Sequence, residues 1–104
     1  MAWLEAIEAS KVGENQVVGV KVAGQPVAIY RLDGEFFATH DICTHEEASL
    51  SEGYVEGGCI ECPLHQARFN IRTGAAESAP ASVALLTYST KVEGDRVLID
   101  IPAS

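Results

Sequence analysis

The chain has 104 residues, with seven Lys and Arg against fifteen Asp and Glu, for a formal charge of −8. That length suits one compact domain with a modest core. The acidic balance excludes electrostatic attraction to nucleic acid or to an anionic membrane surface, and favours a basic protein partner. Met1-Ala2-Trp3-Leu4-Glu5 lacks the basic start and apolar core of a signal peptide, and no apolar run approaches membrane-spanning length. The expectation is a cytoplasmic protein.

In chain order, Val18, Val20 and Val22 alternate on one face of a strand, followed by Val27 with Ile29 and Phe36 with Ala38. Gly24-Gln25-Pro26 and Asp33-Gly34 divide these runs as turns, and Asp-Gly predicts a type I′ hairpin because both central residues tolerate positive φ. Ser10 to Gln16 has the composition for one helical turn and no more. Leu85 to Val92 reads as a strand, Glu93-Gly94-Asp95 as a turn, and Arg96 to Ile101 as a closing strand with Val97, Ile99 and Ile101 facing inward. The expected fold is all-β, a single domain over 1–104. Its antiparallel, sandwich- or barrel-like base covers about 1–39 and 83–104, and an inserted subdomain covers about 40–82. The insertion is rich in Gly, Pro and polar residues and contains every His and every Cys.

Cys43-Thr44-His45 and Cys62-Pro63-Leu64-His65 each offer one thiolate and one imidazole from a single tight loop, with sixteen residues between the two motifs. In a [2Fe–2S] centre of mixed ligation one iron takes two Cys and the other two His, so each loop must reach both irons. A structural zinc site also accepts two Cys and two His, but zinc modules usually pair like with like at short spacing, whereas here each motif mixes the two. Three cysteines, an odd number, do not suggest a disulfide framework. Cys59 lies outside both motifs and reads as a buried or half-buried thiol in a strand Cys59-Ile60-Glu61. His40 has no Cys at a motif offset and reads as a polar residue ending the Phe36-Phe37-Ala38 strand. Trp3, Tyr30, Phe36, Phe37, Tyr54 and Tyr88 read as core or sheet-face residues rather than an electron path.

The two motifs resemble the C-x-H and C-x-x-H signature of Rieske proteins; Phe69 and Thr73-Gly74 follow the second loop as they do in many members of that family, and Pro80 falls where it places a proline-containing loop over the cluster. The resemblance implies one [2Fe–2S] cluster held by Cys43, His45, Cys62 and His65. Rieske proteins of respiratory and photosynthetic complexes carry an extra, disulfide-forming Cys in each loop, and Ala48 and Leu64 occupy those positions here. They also carry a Ser and a Tyr where this chain has Ala67 and Phe69, which removes two hydroxyl donors to sulfur and implies a low potential. The chain has no room for the mononuclear iron domain of a ring-hydroxylating oxygenase. It is similar instead to the free ferredoxins of aromatic-ring dioxygenase systems, which are electron carriers and not enzymes. That resemblance implies a flavin-containing NAD(P)H reductase and a terminal oxygenase as partners, and a monomer when free. The alternatives are a cluster-bearing small subunit of another reductase or oxygenase complex, and a zinc-stabilised interaction module.

Overall fold

The structure, a computed structural model, describes residues 3–43, 48–64, 67–78 and 83–101. Strands β1 (Trp3–Glu8), β11 (Arg96–Asp100) and β10 (Thr90–Glu93) form one antiparallel sheet in that order. A second sheet has the order β2 (Val17–Val22), β3 (Gln25–Leu32), β4 (Glu35–His40) and β9 (Thr87–Tyr88). The third is a meander of β5 (Tyr54–Glu56), β6 (Cys59–Glu61), β7 (Arg68–Asn70) and β8 (Ala76–Ser78). Every pairing is antiparallel, as the alternating pattern requires.

Strand β3 is the hub. Its Val27 and Ile29 join Val22, Ala38, Tyr88, Val97 and Ile99 in a core between the first two sheets. Its Ala28, Tyr30 and Leu32 point the other way, into a core shared with Ile60, Phe69, Ile71, Cys43 and Cys62 of the third sheet and its loops. A strand buried on both faces reads as a continuous apolar run, and Val27-Ala28-Ile29-Tyr30 is one. Each large apolar side chain so buried contributes about 1.5–3 kcal/mol. The Tyr30 hydroxyl meets Thr39 Oγ1 at 2.7 Å, and Thr39 Oγ1 donates to the His40 carbonyl at 3.0 Å, so both polar groups are satisfied inside the core.

The faces assigned from the sequence hold: Val18, Val20, Phe36 and Ile101 also pack on the first core. Asp33 and Gly34 have φ of 52° and 77°, as a type I′ turn demands. Three expectations need correction. The first reversal is Ala23-Gly24, with φ of 52° and 79°, and Gln25 and Pro26 already pair with Val22 and Lys21 in the ladder. Pro26 is tolerated there because it lies near the start of its strand. Leu85 to Val92 is not one strand: β9 pairs with β4 while β10 pairs with β11, and the chain changes sheets at Ser89. The helical turn is a 3₁₀ turn at Ala9–Lys11, earlier than Ser10 to Gln16.

The third sheet is tied to the second by Arg72. Its guanidinium stacks over Phe37, 5.2 Å from the ring centroid, and pairs with Asp33 at 3.0 Å. The ion pair is exposed and adds little by itself, and the stacking contributes about 0.5–1 kcal/mol.

Candidate metal centre

Two loops of matching construction begin at cysteines buried in one core. At the end of β4 the Asp41 N–H donates to the Pro26 carbonyl at 3.0 Å, and Ile42 forms an antiparallel bridge with Ser49. The Cys43 N–H then donates to the Ala48 carbonyl at 2.9 Å. In the second loop, between β6 and β7, Glu61 pairs with Arg68 and the Cys62 N–H donates to the Ala67 carbonyl at 2.7 Å. Each cysteine therefore stands at the mouth of a hairpin whose closing bond spans four residues, 44–47 in one loop and 63–66 in the other. His45 and His65 belong to those two spans and, with Glu46, Glu47 and Gln66, lie outside the described residues. Pro80 does as well.

Both thiols are buried, Cys43 at 4% and Cys62 at 1% exposure, and both belong to the core that holds Ala48, Leu50, Ile60, Ala67, Phe69 and Leu85. No disulfide forms among the described residues. Ala48 is buried and Leu64, at 48% exposure, faces solvent, so the positions that carry cross-linking cysteines in some relatives perform other work here. Two soft sulfur donors buried in one core, each with an imidazole two or three residues on in the sequence, suit an iron–sulfur group. A thiolate in apolar surroundings needs such a positive centre to stabilise its charge.

The remaining chemistry-bearing residues fall where their strand parity puts them. Ile60 points into the core, so Cys59 and Glu61 point outward, and the half-buried Cys59 thiol shares a shallow groove with Tyr54, Glu56 and Arg68. It is turned away from Cys62. His40 shares the face of Ala38, the side of β4 away from the cysteines. Among the aromatic residues, Tyr30 and Tyr88 are core, while Tyr54 is 65% exposed on the outer face of its sheet. Trp3 stands at the surface under Lys91, whose ammonium lies 4.5 Å from the ring centroid. Burial holds the Tyr30 phenol far above the usual tyrosine range, an effect the Thr39 hydrogen bond lessens and the Asp41 charge increases. Ala67 and Phe69 are fully buried beside the second loop and offer no hydroxyl.

One element of the site was not legible from spacing. Asp41 is buried, and its two carboxylate oxygens accept from Ser51, Oδ1 from the N–H at 2.8 Å and Oδ2 from the hydroxyl at 2.9 Å. With the Leu50 N–H donating to the Asp41 carbonyl at 2.7 Å, this closes the base of the first loop. An Asp two residues before Cys43 was the available signal, but nothing in the sequence links it to Ser51.

The family model of the Rieske [2Fe–2S] domain matches residues 2–89. The ferredoxin component of the naphthalene 1,2-dioxygenase system of Pseudomonas putida is 48% identical over 99 residues, covering 95% of each chain. The ferredoxin component of biphenyl 2,3-dioxygenase of Rhodococcus jostii (strain RHA1) is 40% identical over 101 residues, 97% of this chain and 94% of that one. Among solved structures, the Sphingomonas yanoikuyae B1 ferredoxin superposes with a TM-score of 0.92 at 37% identity, covering 97% of this chain and 100% of that one. A chain from the complex of reduced oxygenase and oxidised ferredoxin in carbazole 1,9a-dioxygenase gives a TM-score of 0.87 at 40% identity, over 93% of this chain and 91% of that one. These matches decide for a [2Fe–2S] cluster over a zinc module. With the fold, the paired loops and the buried thiols in agreement, the chain belongs to the Rieske [2Fe–2S] family, among the ferredoxin components of aromatic-ring dioxygenase systems.

Proposed function

We propose that Cys43, His45, Cys62 and His65 hold the [2Fe–2S] cluster, and that the chain carries electrons one at a time from a flavin-containing NAD(P)H reductase to a terminal ring-hydroxylating oxygenase. The observation that carries this reading is the pair of matched hairpins, each with a buried cysteine at its mouth and a histidine within its span. Cys43 and Cys62 would bind the iron on the core side, and His45 and His65 the other iron. When bound, the cluster supplies a site that accepts and releases a single electron. The chain's own residues fix two of the ligands in a rigid apolar setting and keep solvent from the thiolates, which limits reorganisation on electron transfer. In this reading residues 40–82 form the cluster-binding part and about 1–39 with 83–104 the supporting base.

A terminal oxygenase as acceptor is supported by the solved complex of oxygenase and ferredoxin in carbazole 1,9a-dioxygenase. A reductase as donor is supported by the relatives being named components of dioxygenase systems. No helix among the described residues is long and apolar enough to cross a membrane, which suits a mobile monomeric carrier in the cytoplasm. A charge of −8 favours a basic docking patch on the partner, and an encounter that must end quickly buries less than about 1,200 Å².

The test is stopped-flow oxidation of the reduced protein by a terminal aromatic-ring dioxygenase at several ionic strengths. Transfer should slow as salt rises. Glu46→Lys and Glu47→Lys, beside His45 in the sequence, should slow association, while Glu93→Lys, at the end of β10 on the far side of β3 from the cysteines, should not. Equal losses at Glu47 and Glu93, or no salt dependence, would show that the docking face lies elsewhere.

A further inference from the structure

We propose that Asp41 is a positioning residue of the centre: clasped by Ser51, its carboxylate pins the first ligand loop to the framework and sets a fixed negative charge beside the cysteine-bound side of the cluster, making it harder to reduce. The inference rests on the reading that Cys43 and Cys62 are ligands.

Asp41 is the one buried charged side chain among the described residues, at 7% exposure. Burying a carboxylate is costly. An uncharged side chain with the same hydrogen-bonding reach could close the same loop, so the hydrogen bonds alone do not account for the charge. Its side-chain donors, the Ser51 N–H at 2.8 Å and hydroxyl at 2.9 Å, are neutral, so they hold the charge without cancelling it. The backbone of Asp41 is fixed on both sides, its N–H on the Pro26 carbonyl at 3.0 Å and its carbonyl on the Leu50 N–H at 2.7 Å. Strand β2 makes room for the clasp at Gly19, where a Cβ would stand 2.5 Å from Ser51 Oγ and 3.0 Å from Asp41 Oδ2.

Asp41 is two residues from Cys43, which places their Cα atoms no more than about 7 Å apart. At such range, in a medium less polar than water, like charges repel appreciably. The field of Asp41 also reaches the Tyr30 phenol in the same core, where it adds to the larger effect of burial. Reduction adds one negative charge to the centre, so a fixed anion alongside favours the oxidised form.

The experiment is a redox titration at fixed pH of the cluster-loaded full chain and of Asp41→Asn, Asp41→Ser and Ser51→Ala, with iron content and visible circular dichroism recorded for each. Asp41→Asn keeps the shape, since Oδ1 still accepts the Ser51 N–H and the new amide can donate to Ser51 Oγ. At a given poise its reduced-to-oxidised ratio should rise about tenfold, equivalent to about 59 mV upward for one electron. Ser51→Ala keeps the charge and should move the ratio by less than about threefold. Asp41→Ser, also neutral, substitutes for Asp41→Asn if the latter does not load iron fully. A neutral variant with full iron, an unchanged spectrum and an unmoved midpoint would overturn the proposal, and so would a shift in Ser51→Ala as large as that of Asp41→Asn. A parent chain that binds no cluster would instead overturn the ligand reading on which the proposal stands.

Discussion

Gly19 and Ser51 approach so closely that a Cβ on Gly19 would lie 2.5 Å from the Ser51 hydroxyl, inside any real contact distance. The absence of a side chain at Gly19 lets the edge strand β2 lie against the base of the Cys43 loop. Gly19→Ala, at this exposed edge-strand position, should therefore push Ser51 off Asp41 and destabilise the fold by about 1 kcal/mol, the order of one displaced hydrogen bond. Urea unfolding of the loaded protein measures this, and an unchanged midpoint would mean that the loop yields at no cost.

Ala67 and Phe69 are fully buried at the second loop and neither can donate to a sulfur. The midpoint potential should lie toward the lower end of the Rieske span, near about −150 mV. Ala67→Ser and Phe69→Tyr, singly and together, should raise it, as read by redox titration at fixed pH. A parent midpoint well above zero would contradict the argument from missing hydroxyls.

Tyr30 titrates with the fold rather than with the solvent. Burial lifts its folded-state value above the value of 10.0 for an exposed phenol. The stabilisation from the neutral, buried phenol is thus complete below that pH and is lost as pH climbs through and above it. Ultraviolet difference titration should show one tyrosine that ionises only with global unfolding, and Tyr30→Phe should abolish that phase. Removing the hydroxyl should cost about 1 kcal/mol, since Thr39 keeps its bond to the His40 carbonyl.

Leu64, exposed at the second loop two residues from Cys62, is an apolar group in a strongly acidic chain. Leu64→Asn, which removes the apolar contact without adding a charge, should slow electron transfer to an oxygenase by roughly tenfold, the equivalent of losing about 1.4 kcal/mol of contact. It should leave the midpoint potential within error of the parent. A changed potential with unchanged transfer would place Leu64 in the cluster environment instead of the contact surface.

The Cys and His motifs and the inward faces of β2, β3, β4 and β11 were legible because both depend on local spacing: alternation of period two, and a Cys with a His a fixed step away. Strand β1 was not, because Trp3-Leu4-Glu5-Ala6-Ile7-Glu8 lacks clean alternation and its pairing with β11 slips between Glu5 and Ile7. The first turn lies earlier than Gly24-Gln25-Pro26 suggests because Ala23 takes positive φ, a conformation that is uncommon for any residue but glycine. The second role of β3 was hidden for a different reason: Ala28, Tyr30 and Leu32 find their partners in residues 43–85, far along the chain. The Asp41–Ser51 clasp is of the same kind, a contact fixed by tertiary approach and not by spacing.

The most direct measurement of the central claim is pulsed electron paramagnetic resonance of the chemically reduced protein, together with iron and sulfide analysis of the parent, Cys43→Ser and His65→Ala. The expected result for the parent is two irons and two sulfides per chain and a signal coupled to nitrogens of two imidazoles. Cys43→Ser should fail to hold the cluster, because metal binding and loop folding are linked, and His65→Ala should lose one nitrogen coupling or the cluster itself. A parent signal without nitrogen coupling, or a Cys43→Ser variant with full iron and an unchanged spectrum, would contradict the assignment of Cys43, His45, Cys62 and His65 as the ligands.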